Sequence, residues 1–294
     1  MRIATWNVNS LKARLDKVTW WLERARPDVL LMQETKLKDS EAPREAFRKH
    51  GLELAHHGEG GRNGVAIASR AALEAVVTNF GEPLAPALTP DVGDDEPMAE
   101  ARMVSAVCGG IRVVCVYAPN GRVVGSEFYE AKLAWYERLS RWLADAADPK
   151  APLVLGGDMN VAPTDADVWD ARACHGGTHV SGPERQAFAR LLRWGLVDAY
   201  RLHHQEPGRY TWWDYRAGNF HKNFGMRIDH LLVTAPVAAR TVWAEIDREA
   251  RKGTPIPSDH APVLVDVDTP GAPLDAGWLG AEARIAARLK PKAK

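Results

Sequence analysis

The chain has 294 residues, 46% of them hydrophobic, so it can bury a large core either as two domains or as one α/β unit. Lys plus Arg equals Asp plus Glu at 38 each, so net charge lends no support to a nucleic-acid partner. Three cysteines are too few for a disulfide framework, no apolar run approaches a membrane span, and Arg2 and Asn7 interrupt the first strand where a signal peptide would be apolar; a reducing cytoplasm is the expected compartment.

The chain opens on an apolar strand, Ile3 to Trp6. An amphipathic helix follows, with Leu11, Leu15, Val18, Leu22 and Ala25 on one stripe and Pro27 just beyond its end. A buried strand is predicted from Asp28 to Met32, then shorter strands at Leu52 to His57 and Gly64 to Ser69, then a hairpin from Arg102 to Tyr117. Gly109-Gly110 reads as the two-residue turn of that hairpin. It sets Cys108 opposite Ile111 and Cys115 opposite Val104, so the two thiols are not cross-strand partners. Ser126 is the candidate N-cap of a long helix carrying Tyr129, Leu133, Tyr136, Leu139 and Leu143, which Pro149 stops. The second half repeats the plan: a strand at Leu153, a helix from Glu184 to Trp194 closed by Gly195, and strands near Leu196, Thr211, Ile228, Val242 and Val263.

Strands outnumber helices and many are joined as hairpins. Two stacked, mostly antiparallel sheets with helices on the outer faces fit better than a parallel doubly wound sheet. No linker divides the middle, so residues 1–268 read as one domain. Residues 269–294 read as an extension, with helical spacing from Ala281 to Leu289 and a mobile basic end at Lys290, Lys292 and Lys294.

Four polar strings stand out because each sits where an apolar, β-branched stretch begins or ends: Asn7 with Asn9, Gln33-Glu34, Gly156-Gly157-Asp158-Met159-Asn160, and Ser258-Asp259-His260. A lone Asp or Asn at a strand end is usually a turn residue, but four such strings make a convergent site the better reading. Their hard oxygen donors suit Mg²⁺ or Mn²⁺ rather than zinc, and no Cys cluster competes. The pairs His56-His57 and His203-His204 do not share a metal, since neighbours on a strand point to opposite faces. Trp20, Trp21, Trp135, Trp142 and Trp194 fall on helical patterns and read as packing residues, whereas Trp212 lies in a polar, Gly- and Asn-containing region.

Several longer strings resemble the exonuclease III family of apurinic/apyrimidinic (AP) endonucleases: Ala4-Thr5-Trp6-Asn7-Val8-Asn9-Ser10, Gln33-Glu34-Thr35, Tyr117-Ala118-Pro119-Asn120-Gly121, Gly157-Asp158-Met159-Asn160, Thr211-Trp212-Trp213-Asp214-Tyr215-Arg216, Arg227-Ile228-Asp229 and Ser258-Asp259-His260-Ala261-Pro262. The resemblance runs from about residue 1 to 268 and implies a four-layer α/β sandwich with the site in a cleft at one edge. It implies a catalytic group of Tyr117, Asp158, Asn160, Asp229 and His260, and a divalent-metal site, Mg²⁺ with Mn²⁺ as substitute, drawn from Asn7, Glu34, Asp158, Asn160, Asp259 and His260. Within it Glu34 anchors the metal, Asp158 orients or deprotonates water, and His260 donates to phosphate while bonded to Asp229. Tyr117 lies against the phosphate as donor or phenolate. Trp212, Met226 and Ile228 form an apolar pocket for a base-free sugar, and Asn120, Arg62, Asn63, Lys222 and Asn223 contact DNA.

The implied activity is DNA repair: hydrolysis 5′ to abasic sites in double-stranded DNA, with 3′ to 5′ exonuclease action and cleaning of blocked 3′ ends, by a bacterial monomer that works at the nucleoid. A superfamily phosphatase or phosphodiesterase on a non-DNA substrate would lack the Trp-Trp-Asp-Tyr-Arg string and the basic loops. A non-catalytic DNA-binding relative would have lost some of Asn7, Glu34, Tyr117, Asp158, Asn160, Asp229, Asp259 or His260. The basic loop residues, Lys12, Arg14, Lys36, Lys38, Arg62, Arg122, Arg216, Lys222 and Arg227, lie near the strings, whereas Asp91, Asp94, Asp95, Glu96 and Glu100 cluster elsewhere.

Overall fold

The computed structural model describes residues 1–81 and 100–278; the expected tail helix and basic end, and the acidic residues 91–96, lie outside them. In chain order the elements are β1 (Arg2–Asn7), α1 (Leu11–Ala25), β2 (Val29–Gln33), α2 (Arg44–Arg48), β3 (Glu53–His57), β4 (Val65–Ser69), β5 (Glu74–Thr78), β6 (Met103–Cys108) and β7 (Ile111–Tyr117). There follow α3 (Glu127–Ala146), β8 (Leu153–Asp158), α4 (Gly182–Trp194), β9 (Leu196–Asp198), α5 (Ala199–His203), α6 (Asn219–Lys222), β10 (Asp229–Thr234), α7 (Ala235–Ala238), β11 (Thr241–Ile246) and β12 (Val263–Val267).

Among the described residues the strands form two six-stranded sheets, in the orders β11-β12-β1-β2-β4-β3 and β5-β6-β7-β8-β10-β9. Among the described residues the parallel neighbours are β1 with β2 and β7 with β8; the remaining pairs run antiparallel. The α/β sandwich expected from the sequence is therefore present. So is the hairpin register, with Cys108 opposite Ile111 and Cys115 opposite Val104.

Strand alternation builds the layers. On β1, Ile3 joins the central core between the sheets, while Ala4 and Trp6 face outward onto Leu11, Val18, Trp21, Leu22 and Ala25 of α1. On β8, Val154 is central, while Leu153 and Leu155 pack outward with Trp135, Tyr136, Leu139, Trp142 and Leu143 of α3. Covered on both faces, these strands read as continuous apolar runs. Each fully buried Leu or Val contributes about 1.5–3 kcal/mol, so the outer helices are held by their stripes rather than by propensity. Local signals set their ends: Ser126 accepts from the Tyr129 amide at 3.3 Å, and Ser181 with Glu184 forms a capping box at the start of α4.

Two expectations need correction. No strand forms at Thr211: Trp212 makes only isolated bridges to Met226 and His260, because the segment is short and lies between elements instead of along a partner strand. The edge strand β5, with its largely exposed pattern, was not expected, since it lacks the apolar alternation of a half-buried strand. No helix among the described residues is long and apolar enough to cross a membrane.

Candidate active site

The central layer is apolar along most of its length and turns polar at one edge. Residues of equal parity on a strand share a face, so the inward series Val113, Cys115, Tyr117 on β7, Val154, Gly156, Asp158 on β8 and Asp229, Leu231, Val233 on β10 all aim at the opposite sheet. Register aligns their ends: Tyr117 pairs with Asp158, and Asp158 with Asp229. Three groups separated by up to 112 positions thus form one cross-strand row. The facing sheet supplies Asn7 at the end of β1, paired in register with Gln33 of β2 beside Glu34. At Gly156 a Cβ would fall 2.6 Å from Leu31 Cδ1, so this glycine lets the sheets close directly behind Asp158. Below the row, Gln33 Nε2 donates to Thr5 Oγ1 and to the buried Cys115 Sγ, whose thiol burial pushes up to about 12.

Asn7 ties the two sheets together. Its Nδ2 donates to Glu34 Oε1 at 2.8 Å and to Asp158 Oδ2 at 3.0 Å, and its Oδ1 accepts from the Asn9 amide. Tyr117 Oη donates to Glu34 Oε1 at 3.0 Å, and Lys36 Nζ lies 3.0 Å from Glu34 Oε2. Lys36 also donates to Asn9, Asn9 to Asp259 Oδ1, and the Trp212 indole to Asp259 Oδ2 at 3.1 Å. His260 Nδ1 donates to Asp229 Oδ2 at 2.8 Å, and its Nε2 lies 3.9 Å from Asp158 Oδ2. Asp229 makes this bond and not a salt bridge to Arg227 or Arg240: Arg227 is held by Asp167 and Asp198, and Arg240 by Asp268.

The charges follow from this packing. Burial raises the Asp158 carboxyl to about 7, reinforced by the negative charge of Asp229 and opposed by His260, Asn7 and the Asn160 amide. Burial would depress His260, but Asp229, Asp158 and Asp259 outweigh it and push the ring up to about 10. Burial and the Glu34 charge lift the Tyr117 phenol well above its ordinary range, so it is a donor here. Burial opposes ionisation of Glu34, yet Lys36 and the Asn7 bond hold it below the usual carboxylate range.

The donor set fits a hard divalent cation. Four carboxylates, Glu34, Asp158, Asp229 and Asp259, converge here, and carboxylate atoms of Asp158 and Asp229 lie within 4.8 Å of each other and of the His260 ring. Asp229 Oδ1 is buried without a hydrogen-bond partner. Converging carboxylate oxygens of this kind are the hard donors a divalent cation takes as ligands.

Of the expected pocket, Trp212, Met226 and Ile228 do come together, around Ala162 and Val168 with Ala171, Cys174 and Val180 alongside. The last five come from the non-periodic stretch 162–180, which carries no pattern to announce them. Asn120 Nδ2 donates to Asn160 Oδ1 at 3.3 Å, and Asn160 Nδ2 to the Ala118 carbonyl. Arg62 is exposed, and Asn63 is buried in a left-handed turn whose carbonyl receives the Lys36 amide. Lys222 sits 5.7 Å over the Phe224 ring. The Asn223 amide bonds Trp213 Nε1 and the Gly208 carbonyl, so it braces its loop. Sequence reasoning passed over Lys132, His179 and Glu184, all buried behind Asn160.

Two stacked sheets whose strand ends deliver carboxylates, amides and an imidazole to one edge define a metal-assisted phosphoester hydrolase. The chain belongs to the endonuclease/exonuclease/phosphatase family, whose model matches residues 4–260. It is 32% identical over 278 residues to the exodeoxyribonuclease III of Haemophilus influenzae, spanning 90% of this chain and 99% of that one. An AP endonuclease structure from Archaeoglobus fulgidus superposes with a TM-score of 0.84 at 37% identity, covering 92% of this chain and all of the other. A Neisseria 3′ phosphatase bound to product DNA hairpin gives a TM-score of 0.82 at 38% identity, again over 92% of this chain and all of the other.

Proposed function

We propose that this protein is a Mg²⁺-dependent DNA-repair nuclease that hydrolyses the phosphodiester 5′ to abasic sites in duplex DNA and clears nucleotides and phosphate from 3′ ends, with Mn²⁺ as a substitute metal. The observation that carries the reading is the row Tyr117, Asp158, Asp229, set against Glu34 and His260 and flanked by the apolar cluster of Trp212, Met226 and Ile228. The names of the relatives support the substrate class.

Glu34, with Asn7 and Asp259 beside it, would hold the divalent ion. When bound, the ion supplies positive charge to the phosphate and to the departing oxygen. Asp158 takes the proton of the attacking water; a carboxyl near pH 7 is matched to that task. His260 is held protonated, with Nδ1 on Asp229, and so gives Nε2–H to a non-bridging phosphate oxygen; an imidazolium has no lone pair to offer a metal. Tyr117 and Asn160 add neutral donors around the same phosphate. Trp212, Met226 and Ile228 admit a sugar that carries no base, since an intact nucleotide would first have to be unstacked at a cost of a few kcal/mol.

The test is cleavage of a duplex with one tetrahydrofuran abasic analogue, beside a duplex ending in 3′-phosphate, with Mg²⁺ and with chelator. Both are expected to turn over only with metal. Inertness on both substrates in Mg²⁺ and in Mn²⁺ would overturn the reading. We further propose that the chain acts as a cytoplasmic monomer and that the extension beyond residue 268 is accessory to one catalytic domain.

A further inference from the structure

Behind the site a lysine ammonium is buried where an apolar side chain would fill the same space. Lys132 of α3 is fully buried, and its Nζ donates to the Asn160 carbonyl at 2.7 Å, the Asn120 carbonyl at 3.2 Å and Glu184 Oε1 at 2.5 Å. All three ammonium hydrogens are thereby used. Two of the acceptors are backbone carbonyls of the loops that follow β7 and β8, the loops carrying Asn120 and Asn160. His179 Nδ1 lies 2.6 Å from the same Asn160 carbonyl; a carbonyl only accepts, so this nitrogen bears the hydrogen. Burial, reinforced by the Lys132 charge, lowers the imidazole to about 4, so His179 is a neutral donor. Glu184 completes the clamp by accepting from Thr178 Oγ1, the His179 amide and the Ser181 amide and hydroxyl. Gly121 makes room for the lysine stem, since a Cβ there would lie 2.9 Å from Lys132 Cδ.

What is clamped matters for the chemistry. Asn160 has a left-handed φ of 49°, a conformation asparagine adopts more readily than other non-glycine residues. Its amide donates to Asp158 Oδ1 at 2.9 Å, and its side-chain oxygen accepts from Asn120 Nδ2. Holding the carbonyls of 120 and 160 limits rotation about the backbone of those two residues, and with it the re-aiming of their side chains and of the Asn160 N–H that Asp158 accepts.

We propose that Lys132 is a positioning residue for hydrolysis, its ammonium fixing the Asn120 and Asn160 carbonyls so that both amides and the Asp158 carboxylate are aimed at the phosphate. The proposal rests on the assignment of Asp158 and Asn160 to the hydrolytic centre. A buried ion pair is weak evidence of stability, because an apolar pair of similar volume is often as stable. Its use here is geometric. A displacement of about 1 Å in such groups costs roughly 10²-fold in rate.

The test compares wild type with Lys132→Met and with the double variant Lys132→Met, Glu184→Gln, reading kcat and KM on a 3′-phosphate duplex and the thermal midpoint. Lys132→Met alone strands the Glu184 charge and should lower the midpoint by roughly 10 °C. The double variant has no stranded charge, although its new amide N–H meets the N–H of His179 or Ser181, so it should recover part of the midpoint, while kcat stays roughly 10- to 100-fold down and KM holds within about twofold. Recovery of kcat along with the midpoint, or a wild-type kcat in folded Lys132→Met, overturns the proposal. Asp158→Asn run in parallel separates the two failures: if it too cuts normally, the hydrolytic centre is misassigned; if it is dead while the double variant is normal, only the role of Lys132 falls.

Discussion

Asp158→Asn separates the chemistry of the site from its stability. The carboxylate is 1% exposed and accepts from the Asn160 amide at Oδ1 and from Asn7 Nδ2 at Oδ2. Its carboxyl is raised from 3.8 to about 7, so ionised Asp158 costs the folded state about 4 kcal/mol at 1.36 kcal/mol per unit. The sign is unambiguous: an acid whose folded pKa is raised destabilises above that pKa, and the cost fades as pH falls from 7 towards 4. An amide removes this cost but faces one N–H with another N–H. Asn7 cannot flip to relieve the clash, because its oxygen already accepts from Asn9 and its nitrogen also serves Glu34. That conflict returns roughly 1–3 kcal/mol. Without metal at pH 8, Asp158→Asn should therefore melt a few degrees above wild type, with the gain shrinking as the pH is lowered to 5. With Mg²⁺ its rate on the abasic analogue should be down roughly 10²- to 10⁴-fold. Calorimetry across pH and single-turnover cleavage are the assays. A variant that melts lower at pH 8 refutes the buried-charge argument, and one that cuts at near wild-type rate removes Asp158 as the base.

Glu34→Gln should raise the Mg²⁺ midpoint for activity by roughly 10- to 100-fold while leaving DNA association nearly unchanged; an unmoved midpoint at an unchanged maximal rate places the ligand elsewhere. Trp212→Ala should reduce discrimination between abasic and intact duplex more than it slows release of a 3′-phosphate. Trp212→Phe, which loses the indole bond to Asp259 and some ring area but keeps an aromatic face, should keep most of that discrimination; equal losses on both substrates for the Ala variant would make Trp212 a packing residue. Arg227→Met strands Asp198 and leaves Asp167 to Arg201 alone, the lost bonds to the buried guanidinium being 2.6 and 2.7 Å, and should cost about 3–5 kcal/mol at pH 7. Arg227 and Arg201 hold Asp167 down to about 2 against the opposing effect of burial, so the deficit should narrow as pH falls below 4; a deficit constant down to pH 2 would show that packing, not charge, is lost.

The layered fold was legible in the chain because each layer is a local pattern: the stripe of α1, the paired glycines at 109 and 110, the serine cap at 126 and the closing glycine at 195 are fixed by neighbours within a few residues. The polar strings were legible for the same reason, since each interrupts an apolar run. What they do to one another was not. That Tyr117, Asp158 and Asp229 share a row depends on strand register, and a slip of one residue in any of the three strands would turn that strand's member to the other face. That Asp229, the first residue of β10, serves His260 while Arg227, in the segment before the strand, serves Asp167 and Asp198 depends on how the chain enters the sheet. The lysine–glutamate clamp behind Asn160 joins residues 52 apart, on two helices whose sequences show only amphipathic stripes. Local periodicity determines which residues are buried; only closure of the sandwich decides which buried charges meet.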